Sequence, residues 1–382
     1  MSAKLSGPSI LALVGDDTGP TLWRCYMPLT ALQRAGYGCG WDHKDAHLLP
    51  NVAPIFDGFL LPRMSWPVGA RGLAQAWYAQ LRRAGRFVVY DADDDLFSSE
   101  LSARLIAMNM HEGKSYDQLE AERAERVWAM QQCDGVTVST QRLATVVRSF
   151  TDRPVIVVPN AIDVPWFRRV LGGTRRQIQA PTIGWAGGRR PDEDVAAMAE
   201  AWARIAERYP AVTFVVQGWV PPIVERSVPQ DRLVVIPWLP LKDYPLGLID
   251  VDIACAAVAD TPFNRCKSNI KVMEAAVAGS AVVATPTLYA SLVEDRVSGY
   301  LAETADQWTE ALAALVESQA TRRMLARRLL RTVERTCSLA ANLWRWPAAW
   351  ATIAESARVQ RTPLYLPVGF RGLAERPASG AA

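Results

Sequence analysis

The chain has 382 residues, more than one hydrophobic core usually holds, so we expect two domains. Half of the residues are hydrophobic and 21% are charged, a composition that excludes disordered and fibrous chains. The formal net charge is +3, and the first 170 residues hold equal numbers of basic and acidic side chains, which does not favour a dedicated nucleic-acid binder.

The six cysteines show neither metal-ligand spacing nor the pattern of a disulfide framework. No two of them are spaced as C-x-x-C, and His43, His47 and His111 complete no zinc pattern with them. We interpret the cysteines as reduced thiols of a cytoplasmic protein and expect no metal site. The first apolar run has only about five residues, too few for the apolar region of a signal peptide, so none is expected. No apolar run of about 20 residues occurs, so no membrane-spanning helix is expected. The 14 tryptophans leave peripheral membrane contact open.

In the first half, short apolar runs alternate with helical patterns. Strands are predicted at 9–14, 58–61, 86–90, 135–139 and 155–158, and helices at about 22–35 and 117–132. Continuous apolar strands separated by helices are typical of a parallel sheet covered on both faces. We therefore expect a Rossmann-like domain over residues 1–170.

The same pattern restarts after a break at about 164–180, which is rich in proline and glycine. Strands are predicted at 182–185, 212–217, 233–236, 253–257 and 281–284, with helices between most of them. The fold class is therefore predicted as α/β, with two facing, doubly wound parallel sheets, the second over residues 171–337. Ligands of such sheets bind beyond the carboxyl ends of the strands, so we expect the site in the cleft between the domains.

The end of the chain has a different pattern. Residues 304–335 are predicted to form two helices, and apolar residues continue at helical spacing from Leu339 to Ile353. Pro347 falls within that run and is expected to kink it. For residues 338–382 we expect a helix that crosses back to the first domain, and then a strap or frayed tail from about Arg361.

The most informative pattern lies between Phe263 and Thr285. A helix is predicted over 269–278, Gly279 ends it, and a buried strand follows. The N–H groups at the start of such a helix form an anion site, which Lys267 and Ser268 would complete.

Within that helix, Lys271 and Glu274 lie within one turn of each other. A phosphate at the helix start and a ribose hydroxyl on Glu274 would fit this layout. An ordinary surface ion pair between the two residues is the alternative.

The run from Lys271 to Thr285, K-x-x-E-A-x-A-x-G-x-x-V-V-A-T, resembles the donor domain of GT-B glycosyltransferases. The resemblance is to the glycosyl transferases group 1, especially the family-4-like retaining enzymes of bacteria and phages. It implies that Lys271 contacts phosphate and that Glu274 holds the donor ribose. The family often has a second glutamate eight positions earlier, where this chain has Cys266, so the role of that glutamate is open. Lys267, Ser268 and Asn264 are the candidates to replace it.

A second matching segment, Ile183 to Asp194, contains a glycine-rich turn between a strand and a helix. Glycines allow close approach of a ligand to the backbone, as at Gly187 and Gly188. The resemblance implies that Arg189 or Arg190 reaches the donor diphosphate.

In the first half, Gly15, Asp16 and Asp17 follow the first strand, and Arg24 lies in the next helix. Family members have a glycine-containing loop here, often followed by arginine, that faces the donor phosphates or the acceptor. Residues 157–163 resemble the V-P-N-G-[IV]-D segment that closes their first domain, and we expect a mainly structural role for Asn160.

The acidic cluster Asp91 to Asp95 follows a strand and is similar to the D-x-D-D of some bacterial and phage transferases. Metal-dependent D-x-D transferases use one continuous domain, so we do not favour a metal here. Adjacent carboxylates raise one another's pKa, and Asp94 is the candidate to act as base or to orient an acceptor hydroxyl. His111 is a candidate to approach the sugar, with a surface position as the alternative.

Together these patterns predict glycosyl transfer from a nucleoside diphosphate sugar to an acceptor hydroxyl, with no further cofactor. Lys271 and Arg189 would stabilise the leaving diphosphate without a metal, and retention of configuration is implied by the resemblance alone. A saccharide or protein hydroxyl is favoured as acceptor, while a lipid carrier and a modified DNA base stay open. The alternatives are a GT-B-fold nucleotide-sugar epimerase and a non-catalytic nucleotide-sugar-binding protein. A Rossmann dehydrogenase is disfavoured, because Gly15 to Gly19 is not G-x-G-x-x-G.

Overall fold

The computed structural model describes residues 7–44, 55–172 and 181–361. It contains two six-stranded sheets, and every strand pairing within them is parallel. The start of the chain, part of the predicted break at 164–180 and nearly all of the predicted C-terminal strap lie outside the described residues.

The first sheet has the strand order β2-β1-β3-β4-β5-β6 and the second the order β12-β11-β10-β7-β8-β9. Strands of the first sheet are β1 (Ile10–Val14), β2 (Cys39–His43), β3 (Gly58–Pro62), β4 (Phe87–Ala92), β5 (Gly135–Val138) and β6 (Val155–Val157). Strands of the second are β7 (Thr182–Gly187), β8 (Thr213–Gly218), β9 (Leu233–Ile236), β10 (Ile253–Ala256), β11 (Ala281–Ala284) and β12 (Tyr300–Leu301). The fold class predicted from the sequence is confirmed.

Helices connect most of these strands. A helical stretch that contains one π-helical segment follows β1: α1 (Gly19–Thr21), Leu22–Tyr26 and α2 (Met27–Arg34). The other helices before residue 173 are α3 (Arg71–Arg83), α4 (Glu100–Ala107), α5 (Tyr116–Gln131), α6 (Gln141–Arg148) and α7 (Val164–Leu171). After residue 180 come α8 (Ala196–Arg208), α9 (Pro222–Ser227), α10 (Pro262–Arg265), α11 (Ile270–Ala278), α12 (Pro286–Tyr289), α13 (Ala305–Glu317), α14 (Gln319–Thr336), α15 (Leu339–Asn342) and α16 (Arg345–Arg361). Short 3-10 segments lie at Asp192–Asp194, Gln230–Arg232 and Tyr244–Leu248.

Four elements differ from the sequence prediction. The edge strands β2 and β12 were not predicted, because β2 is mostly exposed and has no continuous apolar run, and β12 has only two residues. Helix α7 lies inside the predicted break. Pro347 does not kink a longer helix: it lies in the first turn of α16, where its missing N–H group needs no partner within the helix.

The last helix returns to the first domain, as expected. Gly135 of β5 lies so close to α16 that a Cβ atom there would be 2.6 Å from Ile353. Arg361 also donates hydrogen bonds to Asp134, at 2.7 and 2.8 Å. Trp346 and Trp350 lie in the same buried cluster as residues of β1 and β4. The helix therefore covers one face of the first sheet.

The strand orders decide where side chains can meet a ligand. The order reverses between β1 and β3 in the first sheet and between β7 and β10 in the second. Such switch points leave a crevice at the carboxyl ends of the strands. No helix within the described residues is long and apolar enough to cross a membrane.

Candidate active site

A cavity of about 1250 Å³ lies between the two domains, at the carboxyl ends of both sheets. Asp16, Arg63 and Asp93 reach it from the segments after β1, β3 and β4. Gly188 and Val258 reach it from the segments after β7 and β10. Its volume exceeds that of most single-ligand pockets, so two substrates could fit side by side.

Glu274, Lys271 and Tyr244 form one hydrogen-bonded cluster at the second-domain side of the cavity. Glu274 is only 2% exposed, and its Oε2 accepts from Tyr244 Oη at 2.9 Å and from Lys271 Nζ at 3.0 Å. Lys271 Nζ also donates to Tyr244 Oη at 2.8 Å. Helix α11 supplies two of the three residues, and Gly279, with φ of 77°, ends that helix. Burial together with the Glu274 carboxylate raises the pKa of Tyr244 well above its usual value.

The side chain of Tyr244 was missed by sequence reasoning. It comes from the 3-10 segment Tyr244–Leu248, 30 residues before Glu274, and no local periodicity marks it. The surface-pair alternative for Lys271 and Glu274 is wrong, because the Glu274 carboxylate is buried at the cavity.

Lys267 links the two domains through an ion pair with Asp94. Lys267 Nζ lies 2.9 Å from Asp94 Oδ1, and Arg63 Nη2 lies 3.4 Å from Asp94 Oδ2. Burial opposes ionisation of Asp94, but Lys267 and then Arg63 outweigh it and lower the pKa of this carboxyl. Burial raises the pKa of the neighbouring Asp93, although Arg63 partly offsets this. The expectation that neighbouring carboxylates would raise one another's pKa therefore fails for Asp94.

Arg189 and Arg190 both line the cavity, as does Gly188. Arg190 is half-buried, lies 4.8 Å from the centre of the Trp185 ring, and donates through Nη1 to the carbonyl of Ala257. Its buried Nε has no hydrogen-bond partner in the part of the chain that the structure describes, and burial lowers the pKa of Arg190 even though Asp194 opposes the shift. An anion in the cavity would offset the energetic cost of burying the Arg190 charge.

Arg189 is exposed and reaches the first domain. Its Nη1 donates to the carbonyl of Asn109 at 3.1 Å, and its guanidinium lies 5.6 Å from the centre of the Trp219 ring. Gly187 does not line the cavity: a Cβ atom there would lie 2.7 Å from Arg190 and from Trp185. Its lack of a side chain therefore leaves room for the Arg190 side chain.

Of the three candidates to replace the upstream glutamate, Lys267 and Ser268 line the cavity and Asn264 does not. Ser268 Oγ accepts from Asn160 Nδ2 at 2.8 Å. Asn264 is fully buried and donates through Nδ2 to Asp194 at 2.7 Å, so its predicted donor-binding role is wrong.

Cys266, at the glutamate position, packs into the hydrophobic cluster of the first domain instead of facing the cavity. Its carbonyl accepts from Thr140 Oγ1 at 2.8 Å. Cys266 therefore contributes to the contact between the domains and not to the cavity.

Arg24 is also placed differently from the prediction. It is 1% exposed, does not line the cavity, and donates through Nε and Nη2 to Asp91 at 2.9 and 2.7 Å. Its Nη1 donates to the carbonyl of Val158 and to Asn160, and its guanidinium lies 4.5 Å from the centre of the Trp346 ring. The acceptor-side role predicted for Arg24 is therefore wrong, because its guanidinium is buried and bonded inside the first domain.

The loop after β1 contributes two of its three predicted residues to the cavity. Asp16 and Asp17 line the cavity, while Gly15 lies beside it near Lys44. Asp16 accepts from Thr18 and Thr21, and Asp17 accepts from Tyr26 Oη. His111 also lies outside the lining: its Nδ1 is 3.1 Å from the carbonyl of Lys114 in a local turn, which favours the surface alternative.

The side chains of the acidic cluster Asp91 to Asp95, at the end of β4, do not point to one common site. Asp91 binds Arg24 and Thr137, whereas Asp95 accepts from the backbone of Phe97 and Ser98. Among the residues that the structure describes, no group of three or more His, Cys, Asp or Glu side chains could hold a metal ion.

Comparison with solved structures shows the same two-domain fold elsewhere. The chain is similar to sucrose-phosphate synthase from Thermosynechococcus elongatus, with a TM-score of 0.58, 12% identity, and coverage of 91% of this chain and 100% of that one. It is also similar to HepE of Anabaena in complex with UDP-glucose, with a TM-score of 0.57, 14% identity, and coverage of 92% and 100%. TarM of S. aureus matches with a TM-score of 0.54 and 12% identity over 77% of this chain. The chain spans about half of TarM, 54% of its length.

The fold and the cleft thus define a protein of the GT-B class. Residues 180–318, within the second domain, match the family described as Glycosyl transferases group 1. No curated protein matches the chain. The predicted resemblance to group 1 glycosyltransferases is confirmed and supports the predicted enzyme class, while its family-4-like and phage-type details stay predictions.

Proposed function

We propose that this protein transfers a sugar from a nucleoside diphosphate sugar to an acceptor hydroxyl. The observation that carries the proposal is the buried Glu274 with Lys271 and Tyr244 at the cavity, inside the segment that matches the glycosyltransferase family. The UDP-glucose complex of HepE supports the choice of donor class.

The nucleotide would bind against α11. The hydrogen bonds that Glu274 accepts from Tyr244 and Lys271 both reach Oε2, so Oε1 can accept from a ribose hydroxyl. The side chain of Asn269 does not cap the first turn of α11, so the N–H groups there can receive a phosphate.

Transfer breaks the bond between the sugar and the diphosphate, and negative charge develops on the leaving oxygen. Lys271, Arg189 and Arg190 lie on the second-domain wall, where fixed positive charges would stabilise that oxygen without a metal. Arg190 fits this role best, because its buried Nε has no hydrogen-bond partner among the described residues and is left to a ligand.

Asp94 is proposed to orient the acceptor hydroxyl. Its lowered pKa keeps it ionised near neutral pH, and it reaches the cavity from the opposite domain. We extend the proposal to retention of anomeric configuration on the strength of the family match, and the anomeric proton coupling of the product in NMR would test this.

The test is a thermal-shift screen of the purified protein against UDP-, GDP-, ADP- and TDP-sugars, with and without EDTA. We expect one donor class to raise the Tm equally with and without EDTA. Loss of the shift in Glu274→Ala would place the donor as proposed. No shift from any donor would refute the proposal, and a shift that EDTA abolishes would refute its metal-free form.

One observation favours a second candidate, a non-catalytic nucleotide-sugar-binding protein. Cys266 occupies the position of the upstream glutamate and is buried away from the cavity. Product analysis separates the candidates: a transferase forms a glycoside only when an acceptor is present, an epimerase changes the donor alone, and a binding protein leaves the donor intact.

A further inference from the structure

The two walls of the cavity carry opposite charge. Among the described residues that line it, the first-domain wall has five aspartates and two arginines, whereas the second-domain wall has five basic residues and one glutamate. The two arginines are already engaged: Arg34 lies 3.9 Å from Asp163, and Arg63 pairs with Asp93 and Asp94. An anionic group therefore has a favourable position only at the second-domain wall.

Two aromatic rings from the first 170 residues also line the cavity: Tyr26 lies in the helical stretch after β1, and Trp166 lies on α7, which packs against α11 and the segment Tyr244–Leu248. Tyr26 and Trp166 line the cavity and are half-buried, so each leaves part of its surface to the cavity. Both rings are held by other rings: Tyr26 lies 5.5 Å from Trp41, and Trp166 lies 5.0 Å from Phe167, between ring centres. Fixed rings offer flat apolar surface at low entropic cost.

Carboxylates and aromatic rings together suit one class of ligand. A carboxylate only accepts hydrogen bonds, so Asp16 and Asp17 match a ligand rich in hydroxyl donors. Burial opposes ionisation of Asp16, but hydrogen bonds from Thr18 and Thr21 outweigh it and lower the pKa of Asp16. A phosphate or another carboxylate placed beside Asp16 and Asp17 would meet like charge, and the described first-domain lining residues offer no unpaired cation there.

We propose that Asp16, Asp17, Tyr26 and Trp166 form an acceptor subsite for an uncharged saccharide, and that this subsite discriminates against phosphorylated acceptors. The inference rests on the proposed function and goes beyond it by naming the acceptor class. Sugar hydroxyls donate to the two aspartates, and the C–H faces of the sugar ring pack on Tyr26 and Trp166. The charged donor and the neutral acceptor are thereby directed to different groups of side chains in the cavity.

The test uses the donor that the thermal-shift screen selects. The acceptors are 4-nitrophenyl glycosides of glucose, galactose, mannose and N-acetylglucosamine, each paired with its 6-phosphate, and one serine-containing peptide. Products are quantified by mass spectrometry. We expect the best neutral glycoside to exceed its 6-phosphate in kcat/KM by about tenfold or more, which corresponds to about 1.4 kcal/mol.

Variants test whether the preference for neutral acceptors comes from the residues of the proposed subsite. Asp17→Lys is expected to reduce the preference to below about threefold by replacing repulsion with attraction. Tyr26→Ala is expected to raise the KM for the neutral glycoside about tenfold through loss of stacking area. Asp152→Lys changes an exposed aspartate of the same domain outside the cavity lining, and is expected to leave the preference unchanged.

Donor binding separates the two proposals. If the donor shift is present but phosphorylated glycosides match the neutral ones, or only the peptide accepts sugar, or no glycoside reacts, the acceptor inference is overturned and the proposed donor site stands. If no donor binds, the proposed function and the acceptor inference both fail. A donor shift that persists in Asp17→Lys and Tyr26→Ala confirms that these variants are folded.

Discussion

Each domain contains a buried or half-buried pair of a basic and an acidic side chain, and the two pairs serve different ends. Arg24 and Asp91 meet beneath the end of the first sheet, and both are almost completely buried. Lys271 and Glu274 meet at the second sheet, but the lysine side chain is 31% exposed and both residues line the cavity.

The difference lies in what remains available to a ligand. The Arg24 guanidinium makes four hydrogen bonds within the protein and has Trp346 against it. The Lys271 side chain is partly exposed to solvent, and the bonds that Glu274 accepts from Tyr244 and Lys271 both use Oε2 and leave Oε1 to a ligand. A closed polar network stabilises a fold, whereas an open network can exchange partners with a substrate.

The sharpest way to break this comparison is to remove Arg24. Arg24→Met leaves Asp91 charged in a buried site, and we expect a loss of about 3–5 kcal/mol in the free energy of unfolding. Urea denaturation followed by tryptophan fluorescence measures it. Arg83→Met, at an exposed position on α3, is the control and is expected to change stability by less than about 0.5 kcal/mol. A stable Arg24→Met protein with greatly reduced activity would instead return Arg24 to the substrate site.

The second cluster is tested by Glu274→Gln, which keeps the shape but removes the charge. We expect about 30-fold weaker donor binding, or roughly 2 kcal/mol, because the ribose and Lys271 lose a charged acceptor. Isothermal titration with the selected donor measures it. Glu225→Gln on α9, outside the cavity lining, is the matched control. Equal donor affinity in the two variants would exclude Glu274 from the site.

A third test concerns the ion pair that joins the two walls. Lys267 lowers the pKa of Asp94, so Lys267→Met is expected to raise it. Since the pKa is depressed in the folded protein, ionised Asp94 is retained at high pH and lost as pH falls through that pKa. The acid limb of the kcat/KM profile should therefore move to higher pH in the variant.

Lys242→Met is the control for this shift, because Lys242 lines the cavity but is not among the charges that lower the pKa of Asp94. An acid limb that is the same in Lys267→Met and the wild type would show that Asp94 does not control the reaction at low pH.

The smallest effect is expected at His111, which lies in a local turn outside the cavity lining. His111→Asn should change kcat/KM by less than about twofold, as steady-state kinetics can show. A tenfold loss would mean that this histidine reaches the sugar when the substrates are bound.

Much of the fold follows from local patterns. The strands between 182 and 284 are continuous apolar runs, and the observed strands agree with the prediction to within two residues. Edge strands such as Cys39–His43 are less predictable, because an edge strand faces solvent and loses the apolar signal. Helix α7 also lacks a clear signal, since Pro165 starts it within a segment that reads as a break.

The site was predictable where its residues are close in sequence. Lys267, Ser268, Lys271 and Glu274 lie within eight positions and one helix start, so a short motif brings them together. Tyr244, Arg63 and Trp166 come from segments without a motif, and only the strand ends of the fold direct them to the cavity.

The sequence by itself determined the two sheets, the helix that starts at the proposed donor site, and the spacing of Lys271 and Glu274, because each depends on residues a few positions apart. Only the tertiary structure decided that Arg24 is buried, that Cys266 joins the domain contact, and that Lys267 meets Asp94 across 173 positions. A side chain's access to a ligand depends on which distant segments cover it, and local periodicity does not contain that information.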